Sequence, residues 1–303
     1  MRTSSGASWG ARRRLSGKRD RVEGRKVGMF ELPEYIHLAG QVRQTLSGKT
    51  VREGTLGNSA HKFVWYNREP AEFAELVPGR AVGAPRVMGR FLMVDLEPGY
   101  VLTLGECGGR IVFHESGESW PGKYHLSLAF TDGSFLTVTT QMWGAMELHE
   151  AGKELESRYV KDMRTTPIDP GFTPEYLSAL IRSEDCGKRS AKGLLTQEQL
   201  IPGLGNSIAQ DILFRARLNP KHPVRELSEE EVRTLHGIIV GLVADVARKG
   251  GRNDEVDLFG NPGGYARVMD KNAVGRPCPR CAGEVKKIQY LGGACYFCAR
   301  CQV

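Results

Sequence analysis

Long apolar runs are missing from this chain. No stretch approaches the length of a membrane span, and residues 1–28 lack the apolar segment of a signal peptide. A membrane or secreted protein is therefore not expected, and the cytoplasm is. Histidine pairs at metal-ligand spacing are missing too: His37, His114, His125, His149, His222 and His236 form no such pattern. The formal charge of +7 overstates any excess of positive charge, because residues 1–28 hold nine basic side chains against Asp20 and Glu23. The rest of the chain is neutral overall, so a face for a polyanion has to come from local clustering. What remains is an ordinary globular composition, 40% hydrophobic and 25% charged. At 303 residues it is long enough for two domains and a small extra module.

Cysteine is scarce, but its placement is informative. Cys278-Pro-Arg-Cys281 and Cys298-Ala-Arg-Cys301 are two C-x-x-C pairs separated by 16 residues. That spacing suits four thiolates around one structural zinc ion; two disulfides are the alternative, and nothing else in the chain suggests secretion. Between the pairs lies a β-rich run from Val285 to Phe297 with Gly292-Gly293 mid-way, which predicts two short strands around a turn. Cys295 lies three residues before Cys298 and could compete as a ligand; it is expected to be a free, half-buried thiol. Cys107 and Cys186 are expected as buried thiols.

Residues 1–28 admit three readings. They are a basic arm that grips phosphates, a targeting or cloning-derived segment, or leader ahead of a start at Met29. The last is preferred, because Val22–Gly28 can be written largely in purine-rich codons, as a bacterial ribosome-binding site would be.

Residues 34–48 carry Ile36, Ala39, Val42 and Leu46 at helical spacing and close on Gly48. From 49 to about 145 the pattern becomes short β-type runs, among them 91–96, 100–104, 111–113, 125–130 and 135–139. Turn chemistry at Glu97-Pro-Gly, Pro121-Gly and Thr131-Asp-Gly separates several of them. A two-layer antiparallel β domain follows. Residues 173–250 read as helices, with Thr173-Pro and Leu227-Ser as starts. Leu200-Ile-Pro-Gly-Leu-Gly-Asn206 is a glycine turn between helices, which either lets backbone amides approach a phosphate or simply turns the chain. The expected class is α+β, in segments 1–28, 29–155, 165–268 and 272–303.

This order of parts, with Glu31-Leu-Pro-Glu34 at its head, resembles the formamidopyrimidine-DNA glycosylase/endonuclease VIII family over essentially all of residues 29–303. Residues 191–216 look like its helix–two-turn–helix element. The resemblance implies excision of oxidised bases from duplex DNA after base flipping, with an N-terminal amine attacking C1′. It implies one structural zinc ion on Cys278, Cys281, Cys298 and Cys301. Glu31 matches the proton-handling glutamate and Glu34 a second acid. Asn206, helped by amides around Gly205, matches a phosphate-gripping asparagine; Lys192, also expected at the DNA, falls where the family keeps a basic residue before that turn, and Tyr265 resembles a backbone-contacting tyrosine.

The chain also departs from the family pattern. The nucleophilic proline corresponds to Phe30, the β-domain lysine to Arg90, the wedge methionine to Glu106, and the wedge arginine–aromatic pair to Met142-Trp143. The zinc-hairpin arginine falls near Gly293. Arginine can hold a phosphate but cannot act as a neutral nucleophile. Lys62, flanked by aromatics, is the candidate replacement amine if it is buried; otherwise it is an exposed lysine on an ordinary strand. Asp254-Glu-Val-Asp257 reads as an acidic capping loop. The expectation is a monomeric, bacterial, nucleoid-associated glycosylase with doubtful lyase activity. The alternatives are a catalytically silent binder of damaged or structured DNA and, more remotely, an RNA- or protein-binding zinc protein.

Overall fold

The computed structural model describes residues 28–117 and 120–303; expectations for residues 1–27 lie outside it. Helix α1 spans Leu32–Thr45 and starts earlier than its apolar spacing predicts. Glu31 and Glu34 form a reciprocal capping box there, and a proline occupies the first turn, where its missing N–H costs nothing.

Two sheets follow. One has four strands in the order β1 (Val51–Thr55), β7 (Leu126–Phe130), β8 (Phe135–Thr140), β6 (Gly109–His114). The other has five: β2 (Val64–Tyr66), β9 (Gly144–Glu150), β5 (Tyr100–Gly105), β4 (Phe91–Glu97), β3 (Ala81–Met88). Their facing side chains, including Leu92, Leu104, Met146, Ile111, Leu128 and Val138, make one core with Phe30, Leu38 and Val42. The expected two-layer β domain is present. One pairing is a correction: β2 runs parallel to β9 instead of antiparallel, because the chain leaves β1 and re-enters at the far edge of the other sheet. A short helix α2 (Pro70–Leu76), unforeseen in the sequence, buries Phe73 beside β1.

The second domain is helical: α3 (Pro174–Arg182), α4 (Ala191–Thr196), α5 (Asn206–Ala216) and α6 (Glu229–Arg248). Its core gathers Leu180, Leu194, Ile208, Ile212, Leu235 and Leu242. Leu32 belongs to this core, whereas Leu38 and Val42 of the same helix belong to the β core. Helix α1 is thus a pin shared by both domains. Gly203, at φ +91, allows its turn to reach that pin: a Cβ there would lie 2.6 Å from Leu32 Cβ.

Strands β10 (Val285–Tyr290) and β11 (Gly293–Cys298) form the terminal hairpin. Its two-residue turn is Leu291-Gly292, both at positive φ, one position before the glycine pair expected to turn. The hairpin is bound tightly to the helical domain. The guanidinium of Arg280 donates to Phe214 O at 3.0 Å and lies over the Phe214 ring, and the Gln302 amide donates to Leu218 O. Among the described residues no helix is long and apolar enough to cross a membrane.

Candidate active site

Glu31 sits where the two domains meet. Its carboxylate accepts hydrogen bonds from the backbone N–H groups of Gly205, Ser207 and Ile208 at 3.1, 2.9 and 3.1 Å. These are donors of the first turn of α5, which have no partner within the helix. A carboxylate from the β domain therefore caps a helix of the other domain, at the positive end of its dipole. Gly205 is needed for the approach, since a Cβ would lie 2.5 Å from the carboxyl oxygen. This corrects one expectation: the amides around Gly205 are engaged by Glu31 and are not offered to a phosphate.

Glu34 holds a buried arginine that sequence reading missed. Arg252 donates from its backbone N, Nε and Nη2 to Glu34 at 2.9, 3.0 and 2.9 Å. Nη2 also donates to Met29 O, and Nη1 lies 3.5 Å from Glu31. Arg252 is 1% exposed. Burial works against its charge, but Glu34 and then Glu31 hold it firmly in the charged form. Glu255 is also buried, 3.7 Å from Arg252, with no hydrogen bond to either carboxyl oxygen from the described residues. Burial, opposed by Arg252 and reinforced by Glu34, pushes its pKa up to about 8. The loop expected to be merely capping thus inserts one carboxyl into the site. Asp257 does behave as a turn acid, accepting from the amides of Phe259 and Asn261.

Residue 30 is closed off. Phe30 is fully buried, edge-on to Tyr35 at 5.7 Å, and its N–H donates to Cys107 O at 3.0 Å. Arg90 pairs with Glu106 at 2.8 Å, and its Nη1 contacts Met29 Sδ. Burial raises the Glu106 pKa, and Arg90 opposes the rise. Arg90 and Glu106 stand where the resemblance placed a lysine and a methionine, so the two departures neutralise one another. Lys62 is exposed, with Nζ over the Phe63 ring, and lacks the buried setting expected of a reactive amine.

Two expected DNA contacts lie inside the protein. Lys192 is 1% exposed and donates to the Tyr290 carbonyl at 2.6 Å, fastening α4 to the hairpin turn. The Tyr265 hydroxyl, also buried, donates to Asp211, which additionally accepts from the Val268 and Met269 amides. Neither side chain reaches a surface from which to hold a phosphate. Asn206 is exposed and bridges to Ala294 O at 3.2 Å, so it sits between helix and hairpin. Met142 and Trp143 are exposed at 47% and 40% beside Gly108, whose N–H donates to Trp143 O.

The sulfur atoms of Cys278, Cys281, Cys298 and Cys301 all lie within 4.8 Å of one another, with closest approaches of 3.5 and 3.7 Å. A tetrahedral zinc with bonds of about 2.3 Å sets its sulfurs about 3.8 Å apart, so the four thiols fit that ion. The backbone amides of Cys301 and Arg300 bring the Cys298 thiol down to about 7 against the effect of burial. Cys295 is outside the cluster, fully buried, and its thiol faces Gln210 Oε1 at 3.4 Å.

A β sandwich, a helix–two-turn–helix domain and a four-cysteine hairpin, the first two joined by Glu31, define the DNA glycosylase class built on that helical element. Family models described as the formamidopyrimidine-DNA glycosylase N-terminal domain and H2TH domain match residues 29–146 and 164–255. The chain belongs to the formamidopyrimidine-DNA glycosylase/endonuclease VIII family. It is 28% identical over 288 residues to the formamidopyrimidine-DNA glycosylase of Lactobacillus delbrueckii subsp. bulgaricus, covering 90% of this chain and 99% of the relative. It is 27% identical over 278 residues to that of Bacillus licheniformis, with the same coverage. The Lactococcus lactis Fpg structure in complex with abasic-site DNA superposes with a TM-score of 0.79 at 20% identity, covering 90% of this chain and 99% of that one.

Two predictions follow from the charge cluster. Arg252→Met leaves Glu31 and Glu34 buried without their cation and should cost about 3–5 kcal/mol in urea unfolding; a loss below about 1 kcal/mol would refute the role. Glu255 titrates nearer 8 than its ordinary 4.5. It therefore contributes stability that is present below 4.5 and is lost as pH rises through about 8, by at most about 1.4 kcal/mol per pH unit. Melting temperatures should fall across that window more steeply for the native protein than for Glu255→Gln; parallel curves would count against it.

Proposed function

We propose that the protein is a DNA repair glycosylase that removes damaged, oxidised bases from duplex DNA by water attack, without a Schiff-base intermediate. The observation that carries this is the contrast between residues 30 and 31. The nitrogen of residue 30 is spent on Cys107 O and its side chain is buried in the core, while the Glu31 carboxylate stays fixed at the head of α5. In the proposed step Glu31 takes a proton from water as the water oxygen bonds to C1′. The glycosidic C1′–N bond breaks, its electron pair leaves with the base, and the base takes a proton from solvent.

Glu34 and Arg252 act through Glu31 by holding it, and they position the head of the chain. Met142, the more exposed of the pair, fills the gap left by the extruded nucleotide, since wedging needs only an apolar side chain, and Trp143 stands beside it on the sheet edge. Asn206 and Arg90 meet the backbone; Arg90 has to exchange Glu106 for a phosphate to do so. The four cysteines hold one zinc ion, which supplies structure and no chemistry. Membership of the family supports action on DNA, and a monomer in a bacterial cytoplasm is part of the same reading.

Borohydride trapping on abasic duplex, run beside base release from oxidised duplexes, tests the mechanism. Free base without a trapped adduct is expected. A trapped adduct would show a reactive amine and overturn the hydrolytic step. Glu31→Gln should lower base release by about 100-fold or more with lesion binding kept. No base release by either form would favour the second reading, a silent damaged-DNA binder, for which the buried Phe30 speaks.

Cys298→Ser removes one thiolate and should abolish stoichiometric zinc, unfold the hairpin and weaken DNA binding severalfold. Because Arg280 and Gln302 tie the hairpin to the end of α5, it should also loosen hydrogen-exchange protection in α5 while sparing residues 29–150. Unchanged DNA affinity would sink the claim that the hairpin serves binding.

A further inference from the structure

The parallel edge strand β2 builds something that the catalytic reading does not use. Its register sets Val64 opposite Gly144, and Gly144 N donates to Phe63 O at 3.0 Å. Phe63 therefore lies beside Trp143, and Trp65, two residues on, points to the same face. The Trp65 and Trp143 rings are stacked, with centroids 5.2 Å apart and planes at 14°. Phe63 closes the row on Trp143 at 4.6 Å and 37°. Phe63 is 37% exposed and Trp143 40%, so an edge that packing would ordinarily cover presents rings to water.

Position and charge indicate what would cover it. Trp143 O accepts from Gly108 N, and the preceding residue, Cys107, receives the N–H of Phe30. The row thus stands one short backbone step from the corner that holds Glu31. Lys62 Nζ lies 5.3 Å from the centre of the Phe63 ring. The Asn58 side chain binds Gly122 O and Tyr124 N, bringing the loop that carries Lys123 alongside. Residues 56–66, 120–126 and 141–146 contain no aspartate or glutamate. Aromatic faces on segments that carry lysine and no acid match a nucleic-acid strand whose bases are unstacked. An acidic surface of a protein would match the lysines but leave the rings without a use.

The row is also too thick for a wedge. One base step is about 3.4 Å per strand, the room that a single side chain takes when it kinks a duplex. Three rings held side by side against a sheet edge cannot enter such a step together. They can, however, receive bases that have already lost their partners.

We propose that Phe63, Trp65 and Trp143 form a stacking site for an unpaired nucleobase next to the lesion. The protein then favours damage flanked by unpaired DNA over the same damage in a fully paired duplex. This rests on the glycosylase reading, with Phe63 and Trp65 as specificity residues outside the reacting centre. Phe63 supplies the exposed ring on which the base lies, Lys62 Nζ giving up its place over that ring for a phosphate of the same strand, and Trp65 fixes Trp143 from behind.

The test is fluorescence anisotropy of the full chain at one salt concentration, using a tetrahydrofuran abasic analogue in two contexts. In one every other base is paired; in the other the neighbouring bases form a bubble. The native protein should bind the bubble about tenfold more tightly, the scale of one base–aromatic stack. Phe63→Ala should lose that preference and keep its affinity for the paired substrate, and Phe63→Trp should restore it. Trp65→Leu should weaken bubble binding in the same direction, with melting temperatures showing both variants folded. No bubble preference in the native protein overturns the proposal. So does Phe63→Ala binding as the native protein does, or an equal loss on both substrates. Failure of the glycosylase reading looks different: the native protein would then release no base from an oxidised duplex, whatever its preference between the two abasic substrates.

Discussion

One guanidinium holds the two halves of this protein in register. Arg252 arrives from the segment after α6, is buried, and meets Glu34 through three donors while contacting Met29 O and approaching Glu31. Removing a charge from water costs several kcal/mol, and its return depends on near-ideal geometry. Such a contact contributes less to raw stability than to specificity of arrangement. If α1 slides relative to the helical domain, the cation, both carboxylates and the α5 amides lose partners together. The position of Glu31 is therefore fixed by two domains at once, which suits the proton-handling role proposed for it.

The same corner explains the tolerance of Phe30. An apolar ring just ahead of α1 needs a pocket, and the sandwich supplies one lined by Tyr35 and closed by the Cys107 carbonyl. The nitrogen of residue 30 is a peptide nitrogen joined to Met29, and burial of the ring holds its N–H on the Cys107 carbonyl. The Arg90–Glu106 pair follows the same logic. Arginine where a lysine was expected brings a permanent charge, and a glutamate where a methionine was expected neutralises it. The departures from the family pattern form one consistent rearrangement around a retained carboxylate.

How far the sequence disclosed this depends on sequence distance. The four cysteines and the glycine turn before α5 were legible because each is a pattern within a few residues of chain, whereas α1 begins at Leu32, ahead of the apolar spacing that announced it. The thiols of Cys278 and Cys301 do come together, as their spacing implied. Arg252 was not legible, since its carboxylate partner lies 218 positions away and nothing near Gly250-Gly251 signals an ion pair. Lys192 and Tyr265 show the converse failure. Both align with surface roles, yet the hairpin turn and Asp211 draw their polar ends inward. The direction of β2 was hidden for another reason: three residues carry no strand-direction signal, and only the edge they join decides it.

That edge matters for how such a scaffold acquires selectivity. The reactive corner is constrained on every side: Gly205 by the Glu31 carboxyl, Gly203 by Leu32, Arg252 by Glu34. A substitution there disturbs both domains, so the corner has little freedom to adapt to a different DNA context. The loop between β1 and β2 has that freedom, because it runs over the surface and ends on an exposed strand edge where added residues displace nothing. Aromatic residues placed on it gain stacking partners from Trp143 at little structural cost. In this arrangement the buried charges hold the chemistry in place and the sheet edge is free to set which DNA the chemistry meets.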